Sequence, residues 1–86
     1  MAYEIIIEKK ALKTFGKLEK SVQLRITKYL DKVAISPLIY GDSLHGSYEG
    51  LVKYRVGNYR LICEVQHEIL IIHVIKIGHR REVYNQ

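Results

Sequence analysis

Residues 51–66, LVKYRVGNYRLICEVQ, place two alternating apolar runs on either side of Gly57-Asn58, a pattern that reads as a β-hairpin with a tight turn. Glycine in the first of two loop positions suits a type II′ turn. With a loop of those two residues, Val56 lies opposite Tyr59, Tyr54 opposite Leu61 and Val52 opposite Cys63, so one face is almost wholly apolar. The other face carries charge. On it Arg55 faces Arg60, and Lys53 faces Ile62 one pair further along. Two cations directly opposite each other destabilise a sheet, and at about 5 Å in water their repulsion is roughly 0.8 kcal/mol. A solvated polar face tolerates that cost; an anion site uses it, because a bridging phosphate relieves the repulsion.

The chain has 86 residues, enough for a single domain over 1–86 with one modest core. Its longest apolar run, 69–77, is broken by His73 and Lys76 and is too short to span a bilayer. The opening MAYEIIIEKK sets an acid before a three-residue apolar run, which does not read as a signal peptide. A cytoplasmic protein with no membrane partner is the expectation. Cys63 is the only cysteine, so no internal disulfide can form, and its strand parity assigns it to packing.

Fourteen Lys and Arg against nine Asp and Glu give a net charge of +5, which favours polyanionic partners. The two cation types are distributed differently. Seven of nine lysines precede residue 33, whereas Arg55, Arg60, Arg80 and Arg81 lie in the second half. Lysines along a helix form a solubilising face; arginines gathered in strands and a tail suit the planar, multi-donor grip of phosphate recognition.

Residues 3–7 form a β-branched run, read as a first strand. From 8 to 18 the period changes, with Ala11, Leu12, Phe15 and Leu18 at helical spacing and lysines away from that stripe. After Glu19-Lys20, Ser21 reads as the N-cap of a second helix over 22–35, whose buried stripe is Val22, Ile26, Tyr29, Leu30 and Val33. Pro37 ends it by disfavouring helical geometry at Ser36. Residues 38–47 read as a loop, and 48–56, 59–66 and 69–77 as three antiparallel strands. The last strand is apolar on both parities, which suggests neighbours on both sides. The resulting fold is α+β, in the order β-α-α-β-β-β: two N-terminal helices on one face of a small, mainly antiparallel four-stranded sheet.

His45, His67, His73, His79 and Cys63 show no metal-ligand spacing, and there is no P-loop, GxGxxG or GxSxG. No metal and no cofactor is expected. What remains is a cationic face with tyrosines, which can bind nucleic acid and can cleave RNA. RNA carries its own nucleophile in the 2′-hydroxyl. An enzyme need only remove that proton, stabilise charge on the phosphate and protonate the leaving 5′-oxygen. His73, Tyr54 and Tyr59 are read as packing residues by strand parity.

The run HGSYEGLVKYRVGNYRLICEV, the preceding strand and two helices, and the ending IKIGHRREVY together resemble the RelE/ParE superfamily of bacterial and archaeal toxins. The resemblance covers nearly the whole chain and points to the RelE branch, whose toxins cut messenger RNA on the ribosome and are held inactive by a small antitoxin. It implies a ribosome-dependent, metal-independent endoribonuclease that inhibits translation from the ribosomal A site. It also implies a cognate antitoxin through which the toxin–antitoxin complex binds its own operator DNA.

By that resemblance Lys53 takes the 2′-hydroxyl proton, Arg55 and Arg60 stabilise the transition state, Arg80 serves the leaving group and Tyr84 stacks on a base. Arg81 adds RNA affinity. Lys53 acts as a base only where its neighbours lower its pKa. His79, beside Arg80, is the rival for proton transfer, since several relatives use a histidine near this end. ParE-like members share the fold without the cleaving constellation and act on DNA gyrase. A plain basic RNA-binding module is a third alternative, with steep salt dependence and no cleavage.

Overall fold

The structure, a computed structural model, describes residues 2–80. The first strand (β1, Glu4–Ile7) leads directly into α1 (Lys9–Gly16) and α2 (Lys20–Ile35). The junction between the helices is tight. Gln23 on the first turn of α2 donates its side-chain amide to the Phe15 and Leu18 carbonyls, both at 3.0 Å, so it ties the start of α2 to the end of α1. With the turn closed this way α2 starts at Lys20, with Glu19 at the capping position, and Ser21 lies inside the helix instead of capping it. The anticipated stripe holds: Ile26, Leu30 and Val33 are buried, and Val22 and Tyr29 pack beside them.

Pro37 does more than stop α2. It opens a four-residue helix (α3, Pro37–Tyr40), followed by a two-residue strand (β2, Asp42–Ser43) and a 3-10 turn at Gly46–Tyr48. The sequence reading had one loop through this region and a strand beginning at residue 48. Gly46 and Gly50, at φ 69° and 91°, take the backbone into the left-handed region and break any extended run there. The next strand (β3, Val52–Val56) therefore begins four residues later than expected. Gly41 permits the close passage between α3 and β2: a Cβ there would collide with Val52 and stand 2.7 Å from the Tyr54 ring.

The hairpin of β3 with β4 (Tyr59–Gln66) has the register that a two-residue loop dictates, from Val56↔Tyr59 to Val52↔Cys63. Gly57 has φ 59° and Asn58 is not in the left-handed region, the type II′ signature. A four-residue turn, 67–70, then leads to β5 (Ile71–His79), two residues later at each end than the sequence reading placed it.

Among the described residues the sheet is five-stranded, not four, in the order β1-β5-β4-β3-β2. Its extra member is β2, too short to show a period, which pairs Asp42 with Lys53 and Ser43 with Val52. The pairings are antiparallel except β1 with β5, which run parallel from Glu4↔Ile71 to Ile7↔Val74. That parallel partner explains why β5 is apolar on both parities: it has a strand on each side. Both long helices cover one face of the sheet, where Tyr54, Leu61, Cys63, Ile72 and Val74 are fully buried against Ala11, Ile26 and Val33. The opposite face carries no helix among the described residues.

Candidate nucleic-acid interface

Register alone assembles the uncovered face. Across it run two rows, Asp42–Lys53–Ile62–Lys76 and Arg55–Arg60–Gly78. Ile62 is only 1% exposed although it sits on this face between the two lysine positions. In the second row Gly78 leaves no side chain beside Arg60. A register shift between Ile62 and Cys63 leaves Ile75 without a cross-strand partner and brings Lys76, the next residue, into line with Ile62.

The opposed arginines do not extend in the same way. Arg60 turns its guanidinium toward its own hairpin, with Nη1 donating to the Tyr59 carbonyl at 3.2 Å and to the Gly57 carbonyl at 3.5 Å. Arg55 is exposed. The carbonyl oxygens take up part of the Arg60 charge and leave the outer faces of both groups turned to solvent. Asp42 stands opposite Lys53 in the first row, whereas Glu4 and Glu64 are at the β1 and β4–β5 turn end, far along the strands from Arg55 and Arg60. The face is therefore polarised along the strand direction, positive toward the hairpin tip.

The C-terminal part of the predicted site is joined to that tip by the backbone. Arg80 N–H donates to the Asn58 carbonyl at 2.8 Å, holding the residue after β5 against the hairpin turn. Backbone pairing thus brings Lys53 and Arg55 of β3, Arg60 of β4 and Arg80, just after β5, to one end of the sheet. His79 is placed differently. It pairs in register with Tyr59, on the parity of the helix-covered face, and its ring meets the Tyr59 ring edge-on at 5.7 Å. Arg81 and Tyr84 lie outside the described residues.

Two residues read as packing groups are indeed held by the core. Tyr54 is fully buried and its hydroxyl donates to the Pro37 carbonyl at 2.9 Å; burial raises its pKa well above the ordinary phenol range. Burial pushes the Cys63 thiol up to about 12, far from the thiolate that nucleophilic chemistry needs. His73 bridges Glu8 at 2.9 Å and Gln66 at 3.1 Å, tying the start of α1 to β4 and β5.

Arg25 is the residue that sequence reasoning passed over. It projects from α2 so that a Cβ on Gly57 would lie 3.3 Å from its Nη1 and 3.4 Å from its Nη2, which sets its guanidinium over the hairpin turn from the helix side. The available signal was its type: a lone arginine on a helix whose other cations are lysines.

The chain is thus a small α+β domain with both long helices on one face of its sheet and cations gathered on the other. The chain belongs to the family described as ParE toxin of type II toxin-antitoxin system, parDE, whose model matches residues 5–84. Within that class its resemblance is to RelE. The mRNA interferase toxin RelE of Escherichia coli K12 is 35% identical over 89 residues, spanning 100% of this chain and 94% of that protein. The intact E. coli RelBE toxin–antitoxin complex contains a chain that superposes with a TM-score of 0.77 at 32% identity, over 91% of this chain and 96% of that one. The RelBE2 complex of Mycobacterium tuberculosis, at 21% identity, shares the fold with a TM-score of 0.86 over 93% of this chain and 100% of that one.

Proposed function

We propose that this protein is a ribosome-dependent mRNA endoribonuclease, cleaving by attack of the RNA 2′-hydroxyl, and the toxin of a type II pair held inactive by a cognate antitoxin. The observation that carries the reading is the convergence of Lys53, Arg55, Arg60 and Arg80 at the tip of the uncovered sheet face, fixed by strand register and by the Arg80–Asn58 backbone bond. The names of the RelE relatives support it, as does the solved RelBE complex for the antitoxin.

In this mechanism a message phosphate lies over Arg55 and Arg60. Their repulsion in the free protein becomes shared attraction to the non-bridging oxygens, and grows as charge develops there. Lys53 stands one pair along the same strand and, as the neutral amine, takes the 2′-hydroxyl proton. Arg80 serves the leaving 5′-oxygen, Arg81 adds contacts to the backbone and Tyr84 holds a base by stacking, typically worth about 1–3 kcal/mol. The placement of His79 beside Tyr59 favours Lys53 over His79 for the proton. The substrate places the protein's action in the cytoplasm, at the ribosomal A site.

One observation favours a second reading. The matching family model is described by its ParE members, which by resemblance act on gyrase without cleaving RNA. Incubating the purified toxin with programmed ribosomes and identifying the message ends separates the two. Fragments with a 2′,3′-cyclic phosphate, or its 3′-phosphate hydrolysis product, are expected. Intact message from folded protein, together with inhibited gyrase supercoiling, overturns the nuclease reading in favour of the second. Arg80→Ala and Tyr84→Ala should each reduce cleavage at least 100-fold with the fold intact.

A further inference from the structure

The irregularity in β5 decides which face Lys76 joins. Ile72 and Val74 are fully buried on the helix-covered side, and unbroken alternation would put Lys76 on that side with them. Ile75, without a cross-strand partner, intervenes. Lys76 therefore comes opposite Ile62 on the uncovered face, and Ile77, 4% exposed, takes the helix-facing place instead. An extra residue of this kind re-aims a side chain, and such bulges gather beside functional sites. Here the side chain is a cation, and its new place is the end of the Lys53–Ile62–Lys76 row.

That row meets the sheet margin just beyond the end of β1. The last β1 pair is Ile7 with Val74, and the chain then turns into α1, so among the described residues no strand flanks Ile75, Lys76 and Ile77 on that side. In its place is an open notch of about 360 Å³ between α1 and β5, lined by Lys10, Thr14, Ile75 and Lys76 beside the buried Ala11 and Ile77. Lys10 is exposed, and α1 itself carries no carboxylate. The carboxylate just before it, Glu8, is held by His73 at 2.9 Å.

Spacing and charge identify the occupant. Strands lie about 4.8 Å apart and rise about 3.4 Å per residue, so Lys76, one strand over and two residues along from Arg60, is about 8 Å from it between Cα atoms. A lysine side chain at that distance reaches the next phosphate of a strand whose scissile phosphate lies over Arg55 and Arg60. Spaced cations that track the backbone hold single-stranded nucleic acid without reading its sequence. An acidic protein segment offers similar charge, but the row is continuous with Lys53, and a strand seated there is led along it. We infer that Lys76 and Lys10 form a second phosphate subsite, which takes the RNA backbone as it passes from the cleavage face over the α1 margin of the sheet, a role that rests on the RNA substrate proposed above.

The test compares Lys76→Ala and Lys10→Ala with Lys20→Ala, which removes one charge from the start of α2. Binding of a fluorescent single-stranded RNA of about 12 nucleotides is followed by anisotropy across a salt series, and each variant is assayed on programmed ribosomes. Lys76→Ala and Lys10→Ala should each weaken binding about 10-fold and lower the log–log salt slope by about 0.7, equally for RNAs of different sequence. On ribosomes the loss should fall on KM and spare kcat. Lys76→Arg should keep the parent's affinity, and Lys20→Ala should bind within twofold of it. RNA affinity within twofold of the parent in both Lys76→Ala and Lys10→Ala overturns the inference. So does an equal loss in Lys20→Ala, which traces the effect to net charge, or a fall in antitoxin affinity by calorimetry with RNA affinity kept, which assigns the notch to protein. The binding arm uses no ribosome, so a parent that binds the RNA and leaves message intact refutes the nuclease reading alone.

Discussion

Replacing Arg55 by threonine should make this protein more stable and less active at once. Arg55 and Arg60 are directly opposed in the β3–β4 register. Unit charges about 5 Å apart repel by roughly 0.8 kcal/mol in water, and several-fold more at the lower effective dielectric of a surface cleft. The contacts of Arg60 with the Gly57 and Tyr59 carbonyls disperse part of its charge, so the lower figure applies. Threonine keeps strand propensity, and the expected gain is about 1 kcal/mol. For a domain of this size that is a rise in Tm of about 4–8 °C. Calorimetric melts at low salt and at 1 M salt provide the check, since at 1 M the screening length falls to about 3 Å and the gain should vanish. Inorganic phosphate should raise the parent's Tm more than the variant's, because only the parent has the paired cations to bridge. On programmed ribosomes the variant should cleave about 100- to 1,000-fold more slowly. A lower Tm at low salt, or a gain that persists at 1 M, would show that the two charges do not repel in the folded state, and the anion-site argument would fall with it.

Three further outcomes follow from the core and turns. Gly41→Ala forces a methyl into Val52 and Tyr54, and should cost about 1–3 kcal/mol in urea unfolding. Leu70 holds φ 56°, a left-handed conformation that costs an L-residue about 1–2 kcal/mol; Leu70→Gly should therefore stabilise the β4–β5 turn by about 0.5–1 kcal/mol, read by the same melts. Cys63 rises from 9.0 to about 12 on folding, so the unfolded chain loses its proton first as pH increases. Its contribution to stability is complete below pH 9 and declines between 9 and 12, by about 2 kcal/mol at pH 10.5. Cys63→Ala should lose less stability than the parent between pH 7.5 and pH 10.5, and Tyr54, also raised, steepens the decline in both above pH 10.

The hairpin was legible because strand alternation and a two-residue turn leave one register, and a single register settles which side chains share a face. The buried stripe of α2 was legible for the corresponding reason of period. What escaped the sequence was structure without a period. The two residues of β2 and the four of α3 are too short to show one, and they are held by contacts with Val52, Lys53 and Tyr54 that no local pattern announces. The Ser21 cap failed because the Gln23 side chain closes the helix junction through space. Within the site, Lys53, Arg55 and Arg60 were grouped by parity alone, and Arg80 was tied to them by a backbone bond spanning the hairpin and β5. The position of His79 depends on the full β4–β5 register, including the shift at Ile62, which alternation cannot locate. Arg25 became visible only once α2 had been laid across the turn at Gly57.

The parallel seat of β1 against β5 bears on how the protein is made. β1 leaves a ribosome well before β5 and has to wait for it, since Glu4 through Ile7 find their partners only at Ile71 through Val74. No nascent chain shorter than this can close the sheet, and the sequence distance makes that closure a late step in folding. Arg80 follows β5 directly, so the cationic tip cannot be completed before β5 has been made. A protein whose proposed target is the translating ribosome thereby gathers its cationic tip only after β5 has emerged from one.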